Sequence, residues 1–476
     1  MDELTTSSFK TTGSKWLLPV SDFFGFPLDQ VNFLACQVFA LGAAFWFRFY
    51  LSPHFSSPVV RHAVATLFGL SFVIFCFGWY TMIMAISYLA VCQVSRVFIY
   101  NYGILSTDFS GPLMIITQKT TMLSFQVHDG KECPGDRKGT YAFSKPSLIE
   151  YLSYNLNFLS ILVGPCSHYK DYIDFIEGRH VQRRLSGSNT GQNGYDKVPE
   201  PSPMAAVTRK LLICGVCMVL FLTLTKAFPI TYNVDSHFVN EAPFLTRLAY
   251  AFFSIQAARP KFYFAWTLAD AINNAAGYGF KGVDEAGQVS WDLISNISIW
   301  EIETATSFKK FIDNWNIQTG VWLKTVCYDR APRYPTALTF ILSALWHGVY
   351  PGYYFTFITA IPITLAARAV RKNVRQYFLS SYPVKLVYDV VTWAATQLCI
   401  CYTVMPFLLL AVGPTMQYYR SMYFHIHIIS ILTVIVLSQS HKPRGSSSNG
   451  TKPGPYDPHP QAQPQLQPSN NNVKRK

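Results

Sequence analysis

The chain has 476 residues, of which 50% are hydrophobic, 16% aromatic and only 14% charged. Soluble domains carry about a quarter charged residues, so this composition excludes an ordinary soluble domain and indicates a protein that lies in lipid. The formal net charge of +13 could indicate nucleic-acid binding, but two zones, at 368–385 and from 442 to the end, stand out as basic. That distribution is typical of membrane topology, so no nucleic-acid partner is expected.

Apolar stretches long enough to cross a bilayer, about 20 residues each, recur along the chain. They predict membrane spans near 30–50, 63–95, 211–230, 243–258, 262–280, 336–365, 386–412 and 421–438. Two shorter apolar stretches, 112–127 and 148–165, could be further spans or re-entrant segments. The sequence therefore predicts an all-α, polytopic helical membrane protein.

The domain organisation follows from where the polar segments fall. Residues 1–28 form a polar segment without the apolar core of a cleavable signal peptide, and residues 29–440 form one multi-span domain. Residues 441–476 are rich in Pro, Ser, Asn and Gln, which predicts a disordered basic tail. Within the multi-span domain, 128–147 and 179–205 are predicted to be polar loops.

The carboxyl-terminal topology can be predicted from the two basic zones. Residues 386–412 and 421–438 lie between these zones as two spans joined by a short turn that contains Arg420. Two crossings return the chain to the same side, and the positive-inside rule identifies that side as the cytosol. The carboxyl terminus is therefore expected in the cytosol, and the sequon at Asn449 should carry no glycan.

Proline and glycine interrupt several apolar stretches, for example at 111–113, 164–166 and 351–354. Broken helices at membrane depth persist only where the freed backbone groups face protein or a water-filled cavity. Such breaks usually line a path through the membrane domain. Transporters and intramembrane enzymes both contain them, so this feature does not choose between the two.

Polar residues inside the apolar stretches are the candidates for function. Asp270, Asn273 and Asn274 share one helical face, which is more typical of hydrogen bonding between helices than of catalysis. Residues 306–325 form a mixed polar and aromatic segment that is expected to be helical and partly buried. Asn316 lies in it, and asparagines often satisfy backbone groups instead of taking part in chemistry.

A single histidine, His347, lies within the aromatic stretch "LSALWHGVYPGYYFTF". A histidine in such surroundings either donates a hydrogen bond to one carbonyl or takes part in chemistry away from water. The residues alone leave both possibilities open. Pro351 and Gly352, just after it, are expected to break the helix and make room for a substrate.

A basic helical face and a cysteine pair also require interpretation. Arg368, Arg371, Lys372 and Arg375 are spaced to share one face of a helix. That face is more typical of a topology anchor against lipid headgroups, although it could bind a polyphosphate such as coenzyme A. Cys214 and Cys217 form a CxxC inside an apolar stretch, where packing is the expected role, and no metal site is predicted.

Several motifs together resemble the membrane-bound O-acyltransferase family, in its lysophospholipid branch. The two that carry most of the resemblance are "DNWNIQTGVWLK" and "FILSALWHGVYPGYYFTF". Others are "YFAWTLADAINNAAGYGF", "WDLISN", "DFSGPLMIITQK" and "LVGPCSHYKDYIDFIEG". The likeness runs from Asp29 to about Leu437, and it is closest to the acyltransferases that act on lysophosphatidylethanolamine and lysophosphatidylserine.

The resemblance implies an enzyme that moves a fatty acyl group from acyl-CoA to the free hydroxyl of a lysophospholipid. It implies His347 and Asn316 as the catalytic residues, acyl-CoA as a co-substrate with no permanently bound cofactor, and a multi-pass location in the endoplasmic reticulum membrane. The lipid bilayer and the two substrates are the expected partners. Candidate substrate-binding residues are Trp315, Trp346, Tyr353, Asp270, Asn273, Asn274, Arg368, Arg371, Lys372 and Arg375.

The chemistry fits those two residues. A glycerol hydroxyl is a poor nucleophile, so its attack on a thioester needs a general base, and a neutral imidazole can act as one near neutral pH. Asn316 cannot take a proton, but its amide could orient the imidazole or donate to the developing oxyanion. No serine or cysteine in the motifs is suited to carry the acyl group, so direct transfer is expected.

Two alternatives remain open at this point. The chain could be an acyltransferase for another acceptor, such as a protein, a sterol or diacylglycerol. It could also be a lipid transporter or scaffold without catalysis. Family members usually have a longer apolar passage after the position of Tyr80, about one additional span, so the amino-terminal topology of this shorter chain is open.

Overall fold

The computed structural model describes residues 13–53, 55–77, 110–132, 145–186, 201–283 and 287–439. These residues form helices joined by short connections, with one small antiparallel hairpin. The helices are α1 (Leu18–Phe24), α2 (Leu28–Tyr50), α3 (Pro58–Phe77), α4 (Ser110–Glu132), α5 (Leu148–Leu156), α6 (Tyr169–Ile176), α7 (His180–Ser186), α8 (Met204–Ala227), α9 (Ser236–Glu241), α10 (Phe244–Ala276), α11 (Ile299–Glu303), α12 (Phe308–Asn314), α13 (Ile317–Val326), α14 (Pro335–His347), α15 (Pro351–Asn373), α16 (Tyr382–Leu409), α17 (Val412–Ser421) and α18 (His425–Gln439).

The hairpin pairs β1 (Gly282–Val283) with β2 (Val289–Ser290). Short 3-10 turns cover Ile230–Val234, Tyr328–Arg330 and Arg375–Phe378. All of these elements connect helices and contribute little to the core.

The helical membrane class is confirmed. Within the described residues, five helices are long and apolar enough to cross a membrane, or six if the bent pair α17 and α18 counts as one span. The five are Leu28–Tyr50, Pro58–Phe77, Met204–Val234, Pro351–Asn373 and Tyr382–Leu409. Large apolar side chains stay exposed along them, as expected for surfaces that face lipid tails.

Two of the predicted span boundaries are wrong. The predicted spans 243–258 and 262–280 form the single 33-residue helix α10, which continues through Pro260. A membrane helix tolerates an internal proline when neighbouring helices satisfy the freed carbonyl. The predicted span 336–365 is instead two helices, because the chain breaks between His347 and Pro351.

The predicted turn around Arg420 is also wrong. That residue belongs to α17, a ten-residue helix that meets α18 at an angle of 70°. Tyr423 and Phe424 form the corner between the two helices and both have positive φ angles, 52° and 49°. The chain does change direction here, but it does so through helix α17 and the corner at Tyr423 and Phe424 instead of a short turn.

Other predicted segments are only partly described. The stretch 148–165 is α5 followed by irregular chain, and 112–127 lies in α4, which extends into the predicted loop at 128–147. The loop predicted at 179–205 contains α7. The prediction for 63–95 is described as far as Phe77, whereas Asn449 and the tail 441–476 lie outside the described residues.

Helix α10 is the central element of the fold. It packs along α8 and also contacts α2 and α16. One buried apolar cluster, around Phe47 and Phe158, packs α10 against helices that precede it in the chain. A second, around Tyr402 and Tyr418, joins it to α15, α16 and α17. The candidate catalytic residues lie on helices that pack against this second cluster.

Candidate active site

His347 is the last residue of α14, and aromatic side chains surround its ring. Ring centroids lie 4.7 Å away for Trp346, 5.6 Å for Tyr353, 5.2 Å for Phe357 and 5.0 Å for Phe407. Phe357 stacks on the imidazole and Phe407 meets it edge-on. Within the described residues, no hydrogen bond reaches either ring nitrogen. The imidazole is therefore held by packing alone, with both nitrogens available to a reactant.

The break after His347 has a clear local cause. Gly348 ends α14 with a φ angle of 128°, which side-chain-bearing residues rarely adopt. Pro351 then occupies the first turn of α15, where its missing N–H costs nothing. The sequence had correctly placed a helix break beside the histidine.

The expected role of Gly352 is wrong. A Cβ atom at this position would lie 2.1 Å from the Pro406 carbonyl oxygen, and the Gly352 N–H donates to the Leu410 oxygen at 2.8 Å. The space beside Gly352 is therefore filled by the backbone of α16 and is not left open for a substrate. The glycine allows α16 to come close enough for Phe407 to touch His347.

Asn316 lies at the junction of α12 and α13 in a left-handed conformation, with φ 50° and ψ 54°. Asparagine tolerates this conformation better than most residues. Its carbonyl accepts the N–H of Gly320 at 3.0 Å, whereas its side-chain amide has no hydrogen-bond partner among the described residues. The Asn316 amide, like the His347 imidazole, is therefore free to form a hydrogen bond with a reactant.

Asn296 holds the turn that presents Asn316. Its backbone oxygen accepts the N–H of Ile317 at 2.9 Å, and its Oδ1 accepts the N–H of Gln318 at 3.0 Å. The Ser298 N–H donates to the Asn314 oxygen at 3.1 Å on the other side of the turn. In the sequence Asn296 begins a second sequon, Asn-Ile-Ser, but its side chain is buried in the fold. The "WDLISN" motif was the signal that could have marked it.

The helices that carry the two candidate catalytic residues are neighbours. Trp322 of α13 and Trp346 of α14 have ring centroids 5.6 Å apart. Both indole N–H groups donate to α4: Trp322 to the Thr121 hydroxyl at 2.9 Å, and Trp346 to the Met114 oxygen at 3.1 Å. Helix α4 thus fixes the relative position of α13 and α14.

The tryptophans proposed as substrate contacts take part in packing. Trp315 lies 5.3 Å from Trp266 and stacks on Phe311 at 5.9 Å between ring centroids. Trp346 is buried with its N–H bonded as described. Of the three aromatic candidates, Tyr353 joins Trp346 in touching the His347 ring. A substrate-binding role for these residues stays a prediction.

The polar residues on α10 are committed to a buried network. Lys210 Nζ lies 2.7 Å from Asp270 Oδ2, and the Ser295 hydroxyl donates to the same oxygen at 2.6 Å. Asn273 Nδ2 donates to the oxygens of Leu159, at 3.1 Å, and Ala269. Their partners therefore belong to α8, α10 itself and connecting segments, which fits the expected role between helices.

Asn274 is fully buried one position further along α10. Within the described part of the chain, neither polar atom of its side chain has a hydrogen-bond partner. Its Oδ1 occupies the position beside Gly279 that a Cβ atom there would need. Its predicted role in substrate binding remains a prediction.

The four basic residues at 368–375 do not share one helix. Helix α15 ends at Asn373, and Arg375 lies in the 3-10 turn after it. Arg371 and Arg375 line a cavity of about 260 Å³, and Arg368 Nη1 donates to the Thr336 hydroxyl at 3.0 Å. Lys372 is exposed. Arg368 is about 25 Å along α15 from the His347 end, so this basic group lies at the opposite end of the helix.

The cysteine pair contributes no metal centre. Cys214 and Cys217 are free, buried thiols, and the Cys214 thiol points to the Phe264 oxygen at 3.7 Å. In the described ranges, no cluster of three or more His, Cys, Asp or Glu side chains could hold a metal ion.

An imidazole and an amide without hydrogen-bond partners among the described residues thus lie on neighbouring helices of a polytopic membrane domain. The sequence matches the membrane-bound O-acyltransferase (MBOAT) family over residues 68–409, and the chain belongs to that family. It is 54% identical to mouse membrane-bound glycerophospholipid O-acyltransferase 1, with 92% of this chain and 96% of the relative covered.

Further relatives carry similar names. Chicken membrane-bound glycerophospholipid O-acyltransferase 2 is 50% identical, with 92% of this chain and 91% of the relative covered. Drosophila melanogaster lysophospholipid acyltransferase 6 is 38% identical, with 92% of this chain and 66% of the relative covered. The mouse alignment runs over 472 residues yet covers 92% of this 476-residue chain, so the relative has residues without a counterpart here. The passage after Tyr80 lies outside the described residues, and its shortening stays a prediction.

Proposed function

We propose that this chain transfers a fatty acyl group from acyl-CoA to the free hydroxyl of a lysophospholipid, with His347 as general base and Asn316 as its partner. The observation that carries the proposal is the state of His347, whose imidazole sits among four aromatic rings without a hydrogen-bond partner in the described residues. The imidazole is half-buried, and polar groups shielded from water are usually hydrogen-bonded, so its free nitrogens are consistent with a substrate as the partner.

The reaction can be written with these residues alone. The hydroxyl oxygen attacks the thioester carbonyl carbon while an imidazole nitrogen of His347 accepts the hydroxyl proton. The new C–O bond forms, the C–S bond breaks, and the imidazolium returns the proton to the departing thiolate of coenzyme A. The amide of Asn316 donates a hydrogen bond to the oxyanion that develops on the carbonyl oxygen. The aromatic surroundings exclude water and so limit hydrolysis.

Direct transfer follows from the same surroundings. The side chains that contact the His347 ring are aromatic, and the cysteines of the spans, such as Cys214 and Cys401, are buried in packing. No covalent acyl-enzyme is therefore expected. Trapping the protein after a single turnover with radiolabelled acyl-CoA tests this step, and label that resists denaturation and delipidation would overturn it.

Finer features belong to the proposal as well. We expect the endoplasmic reticulum membrane as the location, a cytosolic carboxyl terminus, and lysophosphatidylethanolamine or lysophosphatidylserine as the favoured acceptors. The cavity lined by Arg371 and Arg375 could bind the phosphates of coenzyme A, whose long pantetheine arm would then lie along α15. A topology anchor remains the simpler interpretation of this basic group.

The decisive experiment measures acyl transfer in microsomes from cells that lack the endogenous activity. Labelled oleoyl-CoA is offered with a panel of lysophospholipids to the wild type, His347→Ala and Asn316→Ala at matched expression. Transfer by the wild type that disappears in His347→Ala supports the proposal and identifies the headgroup. Transfer that survives in His347→Ala would overturn the assignment of the base.

The competing functions give different results in the same assay. An enzyme for a protein, a sterol or diacylglycerol would leave every lysophospholipid unlabelled and would label the alternative acceptor. A transporter or scaffold would form no product with any acceptor, and its lipid movement would tolerate His347→Ala. The names of the relatives, which specify glycerophospholipids, favour the lysophospholipid.

A further inference from the structure

A second cavity lies at the end of the molecule opposite to Arg371 and Arg375. It measures about 960 Å³ and lies between the start of α10, the segment before it, and α17. Helix α16 lines the first cavity between Tyr388 and Cys399 and ends at Leu409, shortly before Val412 of the second. Its polar lining residues are Asn240, Arg247, Gln417, Arg420 and Ser421.

The amino-terminal ends of helices α10 and α17 line this cavity. Pro243 and Phe244 of α10 line it, as do Val412 and Gly413 of α17. Neither first turn contains an acidic residue, and neither N-cap residue provides a side-chain hydrogen bond. The positive ends of two helix dipoles therefore converge on one space without a side-chain cap or an acidic residue, which favours an anion there.

Arg247 adds a buried positive charge to the same space. It is 8% exposed, and its two terminal nitrogens donate to the Val239 oxygen at 2.8 Å and the Tyr423 hydroxyl at 3.3 Å. Its Nε has no acceptor in the described part of the chain. No carboxylate is among these partners. A buried cation without a counter-ion is costly, and a bound anion would remove that cost.

Two other buried cations of the same membrane domain have carboxylate partners, whereas Lys119 donates to the Tyr154 oxygen at 2.7 Å and to the Ser160 hydroxyl instead. Arg259 Nη1 lies 3.1 Å from Glu303 Oε2, and Lys210 Nζ lies 2.7 Å from Asp270 Oδ2. Arg247 differs from both, and Arg420, which is exposed on the cavity wall, takes part in no ion pair within the described residues. The two guanidinium groups thus contribute uncompensated positive charge.

The nearby carboxylates are engaged elsewhere. Asp235 accepts the N–H of Phe238 at 3.0 Å as the N-cap of α9. Glu241 pairs with His237 at 3.1 Å on the exposed side of that helix. Neither of them lines the cavity. Among the residues that line the cavity, the charged ones are Arg247 and Arg420.

We propose that this cavity binds the phosphate of the lysophospholipid acceptor, an inference that rests on the function proposed above. Val412, which lines the cavity, and Leu245, next to the lining residue Phe244, are exposed and suit an acyl chain that remains in the bilayer. A series of contacts leads from the α17 side of the cavity to His347. Leu410, two residues before Val412, accepts the Gly352 N–H and packs with Tyr353, whose ring contacts His347 at 5.6 Å.

The phosphate could come from the acceptor, from a bilayer phospholipid or from free phosphate, so the test must separate these sources. Purified protein in a phosphate-free detergent, in the His347→Ala background to prevent turnover, is heated with lysophosphatidylethanolamine, diacyl phosphatidylethanolamine, monoacylglycerol or inorganic phosphate. We expect the lysophospholipid to raise the unfolding temperature more than the other three. Equal stabilisation by the phosphate-free monoacylglycerol would overturn phosphate recognition, and equal or greater stabilisation by the diacyl lipid or inorganic phosphate would overturn the assignment to the acceptor.

The residues are tested by Arg420→Gln, since this exposed side chain can be replaced without disturbing the fold. Loss of a charge-assisted hydrogen bond should raise the KM for the lysophospholipid about 10- to 100-fold, with the KM for acyl-CoA and kcat unchanged. Arg420→Lys should recover part of the affinity. Arg209→Gln, the same substitution at an exposed arginine of α8, is the matched control.

The two proposals fail in different ways. If Arg420→Gln behaves like Arg209→Gln in both the KM and the thermal experiment while the wild type transfers acyl groups, the cavity assignment is wrong and the enzymatic function stands. If the lysophospholipid stabilises the protein through Arg420 but no acyl transfer occurs, the site stands as a phosphate site and the proposed function is wrong.

Discussion

Two polar sites of this membrane domain, the half-buried His347 and the buried Lys210–Asp270 pair, differ in their hydrogen bonding. Asp270 receives hydrogen bonds from Lys210 and Ser295 on the same oxygen. His347 has only aromatic rings around it. In a low-dielectric interior a hydrogen-bonded side chain stabilises the packing of helices, even though Asp270 Oδ1 has no partner among the described residues, whereas a side chain without any hydrogen bond is costly. A side chain of the second kind that persists in the fold is therefore a candidate for chemistry, which applies to His347 and also to the buried Asn274.

The other polar residues can be sorted in the same way, by whether their side chains are hydrogen-bonded, which the sequence alone does not show. Asn316 resembles His347 in having a free side chain, and Asn273 resembles Asp270 in being bonded to carbonyls. Asn296 lies between the two classes. Its side chain is hydrogen-bonded, and those bonds hold the turn that carries the free side chain of Asn316. Each class predicts a different response to mutation.

The largest effect is expected for His347→Gln. Removal of the general base should lower kcat about 10²–10⁴-fold. The unfolding temperature should stay close to that of the wild type, because no hydrogen bond within the described residues is lost. Acyl transfer by purified protein and a thermal unfolding curve measure the two quantities. A large drop in unfolding temperature together with retained kcat would place His347 in the structural class.

Asn316→Gly should give the next largest loss. The variant removes the amide but permits the left-handed backbone at φ 50°, so kcat should fall about 10²–10³-fold, as for other lost oxyanion donors. Asn316→Ala should lose similar activity and in addition about 1–2 kcal/mol of stability, because alanine is strained there. A comparison of kcat and unfolding free energy for the two variants separates the side chain from the backbone. Equal activity of Asn316→Gly and the wild type would contradict a role in the transition state.

Asp270→Asn should show the opposite pattern. Lys210 would remain buried at 6% side-chain exposure without its main counter-ion, which typically costs about 3–5 kcal/mol of folding free energy. The folded fraction should keep a kcat near that of the wild type. The double variant Lys210→Met, Asp270→Leu should recover much of the stability. A variant that is stable but inactive would move Asp270 into the catalytic class.

The sequence predicted the helical class and the presence of most spans, and the motifs singled out His347 and Asn316, whose catalytic roles stay predictions. It could not predict that α10 runs unbroken through Pro260, because the membrane context and not local propensity tolerates that proline. It could not place Phe407 on the imidazole, since 60 residues separate them and only the close packing at Gly352 brings them together. Such contacts depend on tertiary packing that no local pattern contains.

The same limit explains why Asn296 and the Arg247 cavity were missed. Asn296 had the local signature of a glycosylation sequon, and its burial against α13 is a tertiary fact. Arg247 and Arg420 stand far apart in the chain and each looks like an isolated basic residue in sequence. Arg247 and Arg420 form one site only because α10 and α17 line the same cavity in the folded protein.

The smallest effect, and the sharpest test of the comparison, is expected for Asn296→Ala. Loss of the Oδ1 acceptor leaves the Gln318 N–H unsatisfied, at a cost of about 1–3 kcal/mol. The turn should loosen without unfolding the domain. We expect kcat to fall about tenfold with both KM values nearly unchanged, because a displaced Asn316 weakens a contact made in the transition state and not in substrate binding.

The matched control for that variant is Ser298→Ala. It destroys the same sequon but keeps the backbone N–H that donates to the Asn314 oxygen, so it separates loss of the turn from loss of a glycan. If Ser298→Ala lowers kcat as much as Asn296→Ala, a glycan and not the turn is responsible. If Asn296→Ala loses stability and keeps kcat, Asn296 belongs with Asp270 as a purely structural residue. A selective loss of kcat would show that a fully bonded side chain can support catalysis through the free side chain that it positions.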